Sequence, residues 1–397
     1  MAIDTRASAA RSNRIGTLFA QNRQVPLVGV LIVVCIALTF TTTTFLTGAN
    51  IKSVILGAAI DLVLVAGQTV VIIGGGFDLS IGSVVGLSAV SIGLLIGAGM
   101  PWWLATVIAV LIGGLCGMFN GLLIAKLGIS PLIATLGTMF AFQGLALVVT
   151  QSATVYATGT PLVDSIGQAS WLGMPAPAWI SIIILLIFAA IMRWWKFGRE
   201  VFLVGGNREA ARLVGVNVAR NLITSYVIMG LLSGIAGALA IGRVGTANAT
   251  TGANEPLTVI AAVVVGGAAL AGGEGSVIGA GLGVILIGLV QNAVVLLNVS
   301  VFWQQLVVGA VLIIAVAANV LNSRVRDALM VRAVLRRGDR TLPEGSPAGA
   351  AGTVDNAGTA NLDTTPLMAK DVIDADPQGS PPQSRGQELT NDRRRQE

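Results

Sequence analysis

Residues Arg193 to Arg220 read R-W-W-K-F-G-R-E-V-F-L-V-G-G-N-R-E-A-A-R-L-V-G-V-N-V-A-R. Six cations, Arg193, Lys196, Arg199, Arg208, Arg212 and Arg220, stand here between two long apolar regions that hold almost none. A segment this charged cannot rest in hydrocarbon, so it separates two sets of membrane spans and lies in water on the cytoplasmic side. Within it, Glu209, Ala210, Ala211 and Gly215 spell E-A-A-x-x-x-G, small residues followed by a glycine that stops a helix. The pattern suits a short helix laid in a groove of another protein. Taken alone, it reads more simply as a basic loop obeying the positive-inside rule, and the docking reading needs support from the rest of the chain.

Composition supports the membrane setting. Of 397 residues 54% are hydrophobic and only 11% charged, which places the chain among polytopic membrane proteins. The 50 glycines let apolar helices approach closely where no hydrophobic drive holds them together. There is no histidine, so a Ser-His-Asp triad, a Cys-His pair and a histidine-ligated metal site are excluded. No catalytic residue and no metal site is assigned. Cys35 and Cys116 lie in apolar segments without C-x-x-C spacing and read as small buried hydrophobes. Lys52, Lys126, Lys196 and Lys370 follow Ile, Ala, Trp and Ala, so the Gly-Lys of a phosphate-binding P-loop is absent. No cofactor is expected in this chain.

Working outward, residues 1–25 form a polar arm with Arg6, Arg11, Arg14 and Arg23, followed by an apolar run from Pro26 to Leu46. That run is long enough to cross a ~30 Å hydrocarbon core and too long for a signal-peptide core. Further spans are expected at 53–74, 79–98, 102–125, 131–150, 178–192, 221–242, 257–272, 276–297 and 302–321. The fold class is therefore an all-α polytopic membrane protein of ten spans, with both termini cytoplasmic. On this topology Lys52 and Arg243 are the only cations outside, against 24 Lys and Arg in the chain. The segment 151–178 has no Lys or Arg, several turn formers and two tryptophans, Trp171 and Trp179, and reads as the largest external loop.

Gly113/Gly117/Gly121, Gly230/Gly234 and Gly275/Gly279/Gly283 form one-faced stripes that mark contact surfaces. Whether they meet within one chain or across a dimer is left open. After the transmembrane domain (26–322), residues 323–397 begin with Arg324, Arg326, Arg332, Arg336 and Arg337 among Val325, Leu329 and Leu335, suited to an interface with anionic lipid. Beyond Arg340 the composition predicts disorder to Glu397.

The polar residues kept inside the spans are the other candidates. Gly67 to Ser83 read G-Q-T-V-V-I-I-G-G-G-F-D-L-S-I-G-S. The glycines, with Gly75 and Gly76 central, followed by Asp78 and Ser80, predict a broken helix in which Asp78 or Ser80 caps the next one. A role in gating or in the solute path is the alternative. Asp61 falls inside the second span, where a carboxylate costs ~2.5–3.5 kcal/mol, so it should face a cavity or a partner. Gln68, Asn120, Gln143, Gln291 and Asn292 are each read as interhelical hydrogen-bonding groups that together line a polar path.

Four stretches then carry a resemblance: 67–83 above; N-G-L-L-I-A-K-L-G-I-S-P-L-I-A-T-L-G-T at 120–138; F-G-R-E-V-F-L-V-G-G-N-R-E-A-A-R-L-V-G-V-N-V at 197–218; and I-A-A-V-V-V-G-G-A-A-L-A-G-G-E-G-S at 260–276. In this order they resemble the membrane-spanning permeases of ABC importers for ribose, xylose, arabinose and related small polyols. The resemblance implies a homodimer in the cytoplasmic (inner) membrane, an extracytoplasmic sugar-binding protein that delivers solute, and a separate cytoplasmic ATPase that binds ATP and magnesium; no nucleic-acid partner is expected. It places the ATPase-coupling segment, within the loop 193–220, on Gly198, Arg199, Gly205, Gly206, Asn207, Glu209, Ala210, Ala211, Arg212, Gly215 and Asn217. The chain departs from the family pattern at Phe77, at Pro256 with Glu255 one place early, and at Thr258. An ion-coupled secondary transporter using Asp61 and Asp78 is the second reading. An intramembrane enzyme built on that carboxylate pair is the third.

Overall fold

A computed structural model describes residues 24–300, 302–314 and 316–317. Most of the polar N-terminal arm and the stretch 323–397, with its expected lipid contact and disorder, lie outside the described residues. The fold is almost entirely helical: α1 Gln24–Thr41, α2 Gly48–Ile73, α3 Ile81–Gly97, α4 Trp102–Ala125, α5 Pro131–Thr150, α6 Ala176–Trp194, α7 Lys196–Gly206, α8 Arg208–Leu213, α9 Val218–Val244, α10 Glu255–Val265 and α11 Val277–Leu296, then α12 Trp303–Ile314. Six of these, α2, α4, α5, α6, α9 and α11, are long and apolar enough to cross a membrane by length and composition. Shorter apolar helices, α1, α3, α10 and α12, occupy the remaining expected spans.

The centre is α2. Every residue from Leu62 to Ile73 is buried, as befits a helix apolar on all sides, and α6, α9, α10 and α11 pack around it. The most extensive helix contact joins α4 to α9. There the two glycine stripes face each other: a methyl added at Gly113 would meet the backbone of Gly230 and Gly234, and one added at Gly117 would meet Tyr226 O and Gly230 Cα. The third stripe meets α10, with Gly279 against Gly266 and Gly283 against Ala262. The stripes therefore pack helix on helix within one chain, where their missing side chains let backbones touch.

One expectation is corrected. The eighth span, expected at 257–272, ends at Val265; Gly267, Gly272 and Gly273 then take positive φ (93°, 87° and 75°) and carry the chain through an irregular segment to Ser276, which caps α11. An apolar run containing these glycines scores as a span by hydropathy, yet positive φ ends the helix. The segment expected as the largest external loop, 151–178, contains short strand pairs. Val155 and Tyr156 (β1) pair antiparallel with Ala247 and Thr246 (β4), Ser170–Trp171 (β2) pairs with Met174–Pro175 (β3), and Trp179 Nε1 donates to Trp171 O at 2.8 Å.

Candidate functional site

The charged interruption folds as two helices. Sequence reasoning anticipates the shorter, α8, but not α7, whose Gly198, Val201 and Val204 are buried while Lys196 and Leu203 face outward. Gly198 has no room for a side chain because the backbone of Met192 and Ile191 crosses it at the α6–α7 corner. Six-residue α8 cannot persist by itself, and both of its ends are fastened. Asn207 Oδ1 accepts from Glu209 N (2.9 Å) and Ala210 N (3.0 Å) as an N-cap. At the other end Gly215 takes φ +82°, Gly215 N donates to Arg212 O and Val216 N to Ala211 O, a Schellman closure. Asn217 Oδ1 in turn accepts from Arg220 N and caps α9.

The faces of α8 differ. Ala211 is buried with Val204, Val218 and Leu222, against Ala125 at the end of α4. Glu209, Ala210 and Arg212 point outward, with Arg212 Nη1 2.7 Å from Glu209 Oε1, and Leu213 is 89% and Val214 69% exposed beside them. Exposed Arg199 donates to Trp194 O.

The break after α2 is joined to this block. Gly75 takes φ +74° and the backbone turns away from the helix axis. Arg208 Nη2 donates to Gly75 O at 3.2 Å, and Gly273 N donates to Ile73 O at 2.8 Å. A methyl at Gly205 would fall on Ile73 O and lie 2.7 Å from Gly273 N, while one at Gly272 would lie 2.9 Å from Gly75 Cα. Three backbone segments, 74–76, 205–206 and 272–273, thus pack on one another through glycines. The break and the coupling loop, more than a hundred residues apart in sequence, are thereby in direct contact. Sequence spacing carries no sign of the junction, since other adjacent glycines, Gly113–Gly114 and Gly266–Gly267, look alike in the sequence.

Beyond the glycines the chain is clasped to α4 and α9. Asp78 Oδ1 accepts from Ser80 N (2.9 Å) and Ser80 Oγ (2.6 Å), and Asn120 Nδ2 donates to Ser80 Oγ (2.8 Å), all three residues being buried. The expected cap is corrected: Asp78 fixes the turn ahead of α3 by accepting from the amide and hydroxyl of Ser80, the N-cap residue itself, and Ser80 makes no side-chain bond to the first turn of α3. Tyr226 of α9 completes the clasp by donating its hydroxyl to Phe77 O at 2.9 Å. The chain has only two tyrosines, and a phenol within an apolar span needs a hydrogen-bond partner, so Tyr226 was discoverable from sequence.

Asp78→Ala should cost about 1–3 kcal/mol, because it takes the acceptor away from the buried amide and hydroxyl of Ser80. We expect faster amide hydrogen exchange over Leu79–Val84 with α8 unchanged. Equal exchange in parent and variant would show that the clasp does not hold the start of α3.

The remaining polar candidates do not form one line. Asn292 exchanges two amide hydrogen bonds with Asn50 of α2 (3.1 and 2.7 Å), an interhelical clamp. Gln143 of α5 and Gln291 of α11 are half-buried. Gln68 is wholly buried, and neither of its amide atoms has a hydrogen-bond partner. Asn221 of α9, which sequence reasoning passed over, shares that condition. Asp61 lies at the middle of α2, well before the break that leads to Asp78, near Glu255 and Arg243.

Comparison with known proteins fits this arrangement. A family described as "branched-chain amino acid transport system / permease component" matches residues 50–316. The chain is 38% identical over 292 residues to the ribose import permease protein of Bacillus subtilis (strain 168), covering 73% of this chain and 90% of that one. It is 35% identical over 305 residues to the L-arabinose ABC transporter permease protein of Azospirillum brasilense, covering 77% and 90%. With the autoinducer 2 import system permease protein of Yersinia enterocolitica it shares 37% over 259 residues, covering 63% and 77%. No solved structure matches. A glycine-packed apolar bundle, a family match over residues 50–316 and similarity over about three quarters of this chain to the ribose and arabinose permeases lead to one conclusion: the chain belongs to the family of multi-pass permease components of ABC import systems, proteins of the cytoplasmic membrane.

Proposed function

We propose that this chain is the permease subunit of an ATP-driven importer that moves a small sugar or polyol into the cytoplasm. Solute arrives from an extracytoplasmic binding protein, a second copy of the chain completes the conduit, and a separate ATPase hydrolyses ATP. Ten spans with both ends cytoplasmic put α7 and α8 on the ATPase side. The observation that carries the reading is α8: capped at both ends, anchored by Ala211, and presenting Glu209, Arg212, Leu213 and Val214 outward on a fixed support. Paired charge beside exposed apolar residues suits a docking surface. Transport then needs no covalent chemistry here, only differential binding of nucleotide-bound ATPase and loaded binding protein to two conformations of the permease.

Sugar rather than amino acid follows the ribose and arabinose relatives, which match over most of their length. The ion-coupled alternative rests on Asp61 and Asp78 acting together, and Asp78 is already hydrogen-bonded by Ser80.

Glu209→Lys tests the reading. It replaces the Arg212 ion pair, an exposed pair worth little to stability, with like charges on the outward face. We expect unchanged thermal unfolding, co-purification of the ATPase weakened roughly tenfold or more, the equivalent of ~1.4 kcal/mol, and loss of ATP-driven uptake of labelled ribose, arabinose or xylose. Uptake at the parent rate with normal ATPase co-purification would remove α8 from the coupling surface.

A further inference from the structure

At the end of the bundle opposite α8, a cavity of about 330 Å³ opens between α2, α3, α9, β4 and the start of α10. Its polar side is Arg243, Glu255, Thr154, Thr246, Asn248 and Thr251, and its other side is aliphatic, with Ile60, Val85 and Ala240. Asp61 approaches Glu255 within hydrogen-bonding reach, close to the Arg243 charge. Arg243 Nη1 donates to Leu56 O at 3.2 Å, which turns the guanidinium toward α2. Charged groups from α2, α9 and α10 thus converge on one space. Ionisable groups in apolar segments are costly and mark solute pathways.

The lining selects a class of ligand. Carboxylates accept, a guanidinium donates, and three threonine hydroxyls do both, while the aliphatic wall suits the C–H face of a carbon chain. An uncharged polyhydroxylated molecule offers both kinds of surface at once. An aliphatic amino acid would pair its own charges with Arg243 and Glu255, so the choice of a neutral polyol follows the importer reading and leucine is the discriminating competitor. The volume lies at the lower end of the ~300–1,000 Å³ range of small-molecule clefts.

A second observation points the same way. Gln68 lies seven residues beyond Asp61, two turns along the same face of α2. It is fully buried with both amide atoms unpartnered, a costly state in a native interior. Hydroxyl groups of a polyhydroxylated solute at this depth would satisfy both amide atoms.

We propose that the cavity bordered by Arg243 and Glu255 and backed by Asp61 is a binding site for a neutral polyol within the permease, with Gln68 the next polar station inward. The proposal rests on the importer reading for direction and solute class, but the site can be probed without ATP. Thr154→Cys, in a chain with Cys35→Ser and Cys116→Ala, places a single thiol at the cavity rim. In the full-length protein in lipid nanodiscs, maleimide labelling should slow several-fold with millimolar ribose, arabinose, xylose or xylitol, and not with leucine. Glu255→Gln or Arg243→Gln in the same chain should remove the protection.

ATP-driven uptake by the complete importer is measured beside it. There Gln68→Leu should lower kcat several-fold, with labelling protection retained. Labelling indifferent to all four polyols, or slowed by leucine instead, overturns the site whatever the uptake result. Polyol protection without ATP-driven uptake supports the site and sinks the importer reading. ATP-driven uptake whose KM is unmoved by Glu255→Gln and Arg243→Gln overturns the site and leaves the importer reading standing.

Discussion

Gly205→Val should abolish ATP-driven uptake, and Gly206→Ala, one residue on, should leave it intact. A side chain at position 205 runs into Ile73 O and Gly273 N, both backbone atoms that cannot swing aside, whereas one at position 206 meets nothing within 4 Å. Overpacking typically costs about 1–3 kcal/mol even where side chains can yield, so contact with two backbone segments should force the end of α7 off the α2 break. The Arg208–Gly75 and Gly273–Ile73 hydrogen bonds would part with it. We expect uptake at background and ATPase hydrolysis no longer stimulated by loaded binding protein, with the bundle still folded by circular dichroism. If the two variants behave alike, the glycine junction does not transmit the ATPase cycle. Gly75→Val tests the same junction from the other side. Its side chain has space, 3.7 Å from Gly205 Cα, but its φ of +74° strains any β-branched residue. Because Gly75 touches the α7–α8 block, this variant should disturb ATPase docking as well as uptake.

Gly117→Val should have the largest effect on stability. Gly117 sits in the close contact between α4 and α9, and a Cβ there would meet Tyr226 O and Gly230 Cα. Helices in lipid gain little from hydrophobic drive and depend on close backbone contact, so spreading this pair removes much of what holds the two halves of the bundle. The tyrosine displaced is the one whose hydroxyl holds Phe77 O, which ties the loss to the clasp at the α2 break. Gly144→Ala on α5, where a methyl meets nothing within 4 Å, is the matched control. We expect Gly117→Val to unfold several degrees lower than the parent and to yield little folded protein, with Gly144→Ala unchanged. Equal melting temperatures would mean that the stripe is incidental.

Much of the architecture is legible in the chain. Apolar runs locate the helices to within a few residues, because burial in lipid or in a lipid-like core demands the same composition at every turn. The cap residues Asn207 and Ser276 and the stop at Gly215 follow local rules that depend on a few neighbouring residues. The Asn50–Asn292 clamp belongs to the same legible kind, since an amide in an apolar span needs a partner, although the partner's identity was not readable.

Sequence alone determined the class of fold, the position of most long helices, the charged interruption and the stop of its short helix at Gly215, since each depends on composition or on contacts fewer than ten residues apart. Tertiary structure alone decided which separated groups meet: Gly75 with Gly205 and Gly272, Arg208 with Gly75 O, Asn120 with Ser80, Tyr226 with Phe77 O, and Asp61 with Glu255 and Arg243. It also decided that α10 stops at Val265, because glycines that hydropathy counts as apolar take positive φ where three backbones must touch. Periodicity reports which face of a helix is apolar, but the choice of neighbour is made by packing the whole bundle, and no local pattern encodes it.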